Sequence, residues 1–217
     1  TACPGHLASI LKAMRVTHVM ASAAAGGGAT YLKWLLPGLR DSLVESTLVT
    51  GHDGQLGNHL SQQGFPVHTM DFMRSRISGA FALRLRRQVK ATRPDIIHAH
   101  GTRAAFYCSV AGLSNICPVI YTAHGIAFRE QQGKLRREVM KAAEWVATRK
   151  LAGLASVSRS DLMSLRSIRK MAQTDFKYIP NPVNSEQFRP CNASNAKLRL
   201  GIPPEALAES RRPRETV

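Results

Sequence analysis

The sequence predicts an α/β domain, doubly wound around a mostly parallel sheet. Three observations predict it. Short apolar runs alternate with amphipathic stretches of crossover length. Several of those runs are continuously apolar, as strands covered on both faces are. The apolar fraction of 44% in 217 residues is enough for one buried core of this kind.

The elements follow in order. Strand signals fall at Arg15–Ala21, Glu45–Thr50, Pro66–Met70, Asp95–His100, Pro118–Ala123, Leu154–Ser158 and Lys177–Pro180. Helical patterns lie between them at 28–42, 55–64, 76–93, 102–114, 132–151 and 159–171. Right-handed crossovers then give a Rossmann-like sheet, whose ligands gather at the carboxyl ends of the strands. Residues 1–13 read as an N-terminal extension, with Met14 opening the first strand, and 14–190 as the folded domain. Residues 191–217 are rich in Asn, Ser, Pro and Arg and are expected to form a linker or disordered tail.

The chain carries 30 Lys and Arg against 14 Asp and Glu, a formal charge of +16. That excess favours phosphorylated ligands, an anionic membrane surface or nucleic acid, or marks a solvated basic face. Nucleic acid has charge alone behind it, with no recognisable module or aromatic stacking platform. The basic residues Arg74, Arg76, Arg84, Arg86, Arg87, Lys90 and Arg93 share one stretch without an acid, and Leu83, Leu85 and Val89 offer it an apolar side. Arg84, Arg87 and Lys90 are therefore candidates for docking on anionic head groups, against an ordinary solvated helix face. A second basic stretch runs from Arg129 to Lys150.

Four scattered cysteines form no C-x-x-C pair, which suits a reducing cytosol, and their spacing to His98 or His100 is wrong for zinc. No D-x-D occurs, so no metal is expected, and no apolar run reaches the length of a membrane span.

The candidate site residues lie just after strands. Gly26, Gly27 and Gly28 precede a helix, where glycines let an anion approach unpaired N–H groups, or simply make a tight turn. His98 and His100 share one side of their strand, with His100 nearer the edge and His98 read as a packing residue. Two neighbouring strands end in His-Gly, at His100–Gly101 and His124–Gly125.

Taken in order, these motifs resemble the N-terminal domain of glycosyltransferase family four, the acceptor-side half of a GT-B fold. The resemblance covers about 14–202. It rests on Gly26–Gly28, Gly51-His52-Asp53-Gly54, Pro94-Asp95-Ile96-Ile97-His98-Ala99-His100-Gly101, Val119-Ile120-Tyr121-Thr122-Ala123-His124-Gly125 and Tyr178-Ile179-Pro180-Asn181-Pro182. It implies sugar transfer from a nucleotide-sugar donor to an acceptor, such as a lipid-linked or cell-envelope glycan, with retention and without an essential metal. His124 is then expected at the reacting sugar, Gly26, Gly27 and Gly28 facing the donor diphosphate, and His100, Gly101 and Gly125 on the acceptor side. The expected place is the cytoplasm or the inner face of the membrane. The family's donor-gripping residues belong to a second domain, so this chain alone is expected to be inactive. The alternatives are a basic membrane-surface or acceptor-binding module without catalysis, and half of a GT-B sugar-nucleotide epimerase.

Overall fold

The computed structural model describes residues 13–72, 78–126, 133–168, 176–186, 188–189 and 193–203. Arg74, Arg76, Cys3, Cys191 and most of the two termini lie outside the described residues. Seven strands form one parallel sheet: β1 (Met14–Met20), β2 (Val44–Thr50), β3 (Val67–Thr69), β4 (Ile96–His100), β5 (Val119–Ala123), β6 (Gly153–Ser156) and β7 (Phe176–Tyr178). Their order is β3-β2-β1-β4-β5-β6-β7. The reversal lies at β1 and β4, each of which leaves toward the opposite side of the sheet, the place where sheets of this kind take their ligands.

Among the described residues six helices connect the strands: α1 (Gly27–Arg40), α2 (Leu56–Gln62), α3 (Gly79–Ala91), α4 (Thr102–Val110), α5 (Lys134–Ala147) and α6 (Arg159–Ile168). The core divides by face. Leu32, Leu36, Leu56 and Leu60 of α1 and α2 pack with Leu48 and Phe65 on one side. Phe81, Leu85, Val89, Ala104, Tyr107 and Leu165 of the other helices pack with Ile97, Ala99 and Tyr121 on the second.

Local chemistry sets the ends. Ser78 caps α3, its hydroxyl accepting from the Phe81 N–H at 3.2 Å. The expected helix 102–114 breaks after Val110, because Gly112 turns left-handed (φ 61°) and a 3-10 turn follows at Leu113–Asn115. Arg15 bridges β1 to the start of β4 through Asp95 at 3.1 Å.

One expectation is corrected. Leu83 is 49% exposed and adds nothing to the apolar side of α3, which consists of Phe81, Ala82, Leu85 and Val89. The chain divides into two compact units, 1–182 and 183–217. Within the second, the stretch expected to be a linker holds a helix, α7 (Ala193–Arg199). Ala, Lys, Leu and Arg favour it, and left-handed Gly201 ends it with Gly201 N–H to Leu198 and Ile202 N–H to Lys197 carbonyls. Among the described residues no helix is long and apolar enough to cross a membrane.

Candidate functional site

Parallel register builds a histidine group at the centre of the sheet. His18 on β1 stands opposite His98 on β4, and His100 stands opposite Thr122 on β5. Period-two alternation then sends His18, His98, His100 and Thr122 to the face covered by α1. His18, His98 and His100 are 0%, 9% and 3% exposed. His98 Nε2 meets Thr122 Oγ1 at 2.8 Å. His18 Nδ1 meets His100 Nε2 at 3.1 Å, and His100 Nδ1 meets His124 Nε2 at 3.2 Å. Three imidazoles thus form a chain running from the core to the carboxyl edge. Its two outer nitrogens, His18 Nε2 and His124 Nδ1, are buried and meet no partner among the described residues. Burial lowers His18 to about 3 and His124 to about 4, and pushes His98 and His100 well below the usual histidine value. All four are neutral near pH 7.

The glycine turn meets this chain. Gly26 precedes α1 without any side-chain cap, and the Thr30 N–H to the Gly26 carbonyl is the first bond of the helix. The N–H groups of residues 27 to 29 are therefore left without helical partners. A Cβ on Gly26 or Gly27 would meet nothing, whereas one on Gly28 would touch Met20 Cε at 3.4 Å and the His124 ring at 3.6 Å. Tyr31, one turn further on, sets its ring 4.9 Å from that of His124 and 5.9 Å from that of His100.

A second loop braces the first. Ser22 Oγ and the Ala23 N–H donate to the Asp53 carboxylate at 2.6 and 2.7 Å. Burial raises the Asp53 pKa, but these bonds and Arg103 outweigh it and hold the carboxyl below its usual value. A Cβ on Gly54 would collide with the Ala23 carbonyl, so the two loops pack backbone to backbone.

The two His-Gly pairs share a backbone reason. Gly101 (φ 80°) and Gly125 (φ 123°) both occupy conformations that L side chains avoid, and each turns the chain away just after its histidine.

The structure therefore brings together Gly28, His100 and His124, with Gly26, Gly27, Gly101 and Gly125 on the same carboxyl edge. Arg84, Arg87 and Lys90 stand apart, exposed on α3 across the sheet from the histidines. Arg86 of the same stretch is half-buried and donates to the Ala111 and Gly112 carbonyls at 3.0 and 2.5 Å, a structural role. Sequence reasoning missed His18, Tyr31 and the Ser22–Asp53 brace. The period-two match between His18 and His98 was the only signal for the first, and it needs the β1–β4 pairing to be read.

His18, His98 and His100 each offer one nitrogen, all within 4.8 Å of one another, as a metal site could. Tetrahedral zinc at about 2.1 Å from each nitrogen would need them about 3.4 Å apart, so the rings would have to close in. Among the described residues no cysteine belongs to this group. Cys108 is buried on the opposite face, where burial pushes its thiol to about 12.

The sequence model of Glycosyltransferase Family 4 matches residues 25–187. No curated protein matches the chain. Among solved structures, Anabaena Alr3699/HepE in complex with UDP-glucose is similar at a TM-score of 0.63 and 19% identity, over 87% of this chain and 50% of that one. Sucrose-phosphate synthase from Thermosynechococcus elongatus gives 0.63 and 14%, over 87% and 53%. A putative UDP-N-acetylglucosamine 2-epimerase from Listeria monocytogenes gives 0.53 and 17%, over 76% and 45%. At these identities the likeness is one of fold, and the chain spans about half the length of those proteins.

Proposed function

This chain belongs to glycosyltransferase family 4, and from that premise we propose that it forms the acceptor-side lobe of a nucleotide-sugar-dependent glycosyltransferase. The observation that carries the reading is the nearness of Gly28 to the His124 ring at the carboxyl edge, where an added Cβ would stand 3.6 Å from the ring. There the open N–H groups at the start of α1 suit the donor diphosphate. His124 suits the reacting sugar, where a neutral imidazole can hydrogen-bond a hydroxyl and steady charge as the bond to the diphosphate breaks. His100, Gly101 and Gly125 border the acceptor. The donor is a substrate, and this chemistry asks no metal of the lobe.

UDP-glucose is the probe. Added to the isotope-labelled chain, it is expected to shift the amides of Gly26–Gly28, His124 and Gly125. Shifts confined to α3 or α5 would overturn the reading.

A specific observation also favours an anionic membrane surface as partner. Leu135 is 81% and Val139 53% exposed on α5, interleaved with Lys134, Arg136 and Arg137. Arg84, Arg87 and Lys90 on α3 add charge on the same side of the sheet, at about 1 kcal/mol per basic residue near an anionic surface. Flotation with anionic vesicles is expected to carry the chain, and equal recovery with neutral vesicles would remove this partner.

A further inference from the structure

A surface helix buries one face, and its buried residues recur every three or four positions. Phe81, Ala82, Leu85 and Val89 do so in α3, and Asp161, Leu162 and Leu165 in α6. The first two turns of α5 do not. Every residue of 133–139 is exposed, so no side of that stretch packs against the described residues. The first buried residue of the helix is Glu144, whose carboxylate takes hydrogen bonds from Thr102 and Tyr121. Thr102 opens α4 just after the carboxyl edge, at Gly101. A crossover helix runs antiparallel to its strands, so residues 134–143 lead from that level outward past the edge. At 1.5 Å per residue they span about 15 Å. The free end of α5 therefore stands beyond the sheet, on the side of His124 and Gly125.

The chemistry of that end is ordered. Leu135, Val139 and Ala142 follow at i, i+4 and i+7, one stripe on the side opposite Glu144. Lys134 and Arg136 flank the stripe and meet no acid among the described residues. Glu138 takes Lys141 at 2.9 Å and Arg137 at 3.6 Å. The helix opens without a side-chain cap or an acid in its first turn, which leaves bare N–H groups and a positive dipole end at its tip. Apolar side chains between basic ones match the layer where lipid phosphates meet acyl chains. A second copy of the chain fits badly, because two such faces set Lys134 and Arg136 against each other on chains of +16. Three small apolar side chains also fall far short of the about 800 Å² that each partner of a stable protein interface buries.

We propose that the first two turns of α5 seat the chain on an anionic bilayer with its carboxyl edge toward the lipid, so that the acceptor received there is one anchored in the membrane. This rests on the reading of that edge as the sugar site and of the membrane as partner, and it adds an orientation and a substrate class. A chain docked by its amino edge would turn the site to the solution and serve soluble acceptors. Docked by α5, it leaves a soluble acceptor only the gap between protein and head groups. An anchored acceptor is already held at that rim, where confinement raises its effective concentration without any new contact.

The test uses the isotope-labelled chain on anionic bicelles that carry a head-group spin label. Broadening is expected at the amides of 134–139, Gly101 and Gly125, while Asn115 and Ala152, beside the start of β5, stay sharp. Broadening at the amino edge, at both edges alike or nowhere overturns the orientation. Leu135→Glu combined with Val139→Glu is expected to cut the partition onto anionic vesicles at least about 10-fold. Both side chains are exposed, so the free variant is expected to keep the wild-type amide spectrum. An unchanged partition overturns the role of α5. Glucosyl diacylglycerol in the bicelles is expected to shift Gly101, His124 and Gly125, where methyl glucoside at the same total concentration leaves them unmoved. An equal response to both, or to neither, overturns the acceptor class. The UDP-glucose shifts are read without lipid, so their loss alone sinks the sugar-site reading and leaves the orientation standing.

Discussion

The two faces of the sheet solve the packing problem in different ways. On the side of α3 to α6, Phe72, Phe81 and Tyr107 meet edge to face, with ring centres 4.7 to 6.2 Å apart, among Ile97, Ala99 and Leu85. On the side of α1, the middle of the sheet is given to His18, His98, His100 and Thr122, which could have been aliphatic for stability alone. The strands are shared, so residue parity alone separates the two environments: 97, 99 and 121 turn one way, and 98, 100 and 122 the other. One face supplies stability, while the other uses some of it to hold polar rings in place.

The pH dependence of stability breaks this comparison most sharply. Four histidines have folded-state pKa values below the unfolded value of about 6.5, so the unfolded chain binds more protons in mild acid. Stability is then full above pH 6.5 and falls as the pH drops from there toward 4. At its steepest the loss is about 5 kcal/mol per pH unit for four groups. Across the sheet Glu144 acts with the opposite sign. Burial raises its pKa, against hydrogen bonds from Thr102 and Tyr121, so it loses stability as the pH rises through its folded value. Urea titrations at pH 7.5 and 5.5 are expected to show the histidine side winning, with Glu144→Gln making the acid loss steeper still.

Phe81→Ala empties the aromatic cluster and is expected to cost about 3–5 kcal/mol in the same urea assay at pH 7.5. Thr122→Val, nearly equal in volume, leaves His98 Nε2 without a partner and is expected to cost about 1–3 kcal/mol. Gly101→Ala meets a left-handed backbone and should cost about 1–2 kcal/mol. Gly26→Ala, extended and in open space, should stay within about 0.5 kcal/mol. A larger loss at Gly26 than at Gly101 would show that the glycine turn is packed rather than open.

Much of the apolar face was legible in advance, because β strands and amphipathic helices announce themselves by periodicity. All seven strands were placed, and the clustering of Gly28 with His124 at one edge followed from the order of the motifs. Leu83 was misread because an amphipathic pattern tolerates one apolar residue on the wet side. The histidine chain was not legible as a chain. His18 sits 80 residues before His98, and nothing local in Arg15-Val16-Thr17-His18-Val19 says that β1 will lie beside β4. Asp53 was visible only as one letter of a glycine-containing motif. Its partners are the Ser22 hydroxyl, 31 residues away, and the backbone N–H of Ala23, which leaves no mark in a sequence. The helix α7 was hidden by neighbouring Asn, Ser and Pro, although Gly201 could have marked its end.

The Ser22–Asp53 clasp has a bearing on how the turn at Gly26–Gly28 greets a ligand. A glycine-rich strand exit left to itself would roam, and whatever arrived would have to still it at the expense of binding strength. Here the neighbouring loop acts as a mould, fastened to the strand exit at Ser22, Ala23 and Gly54. The stilling happens once, during folding, and a carboxylate that never meets the ligand helps to decide how tightly the ligand is held.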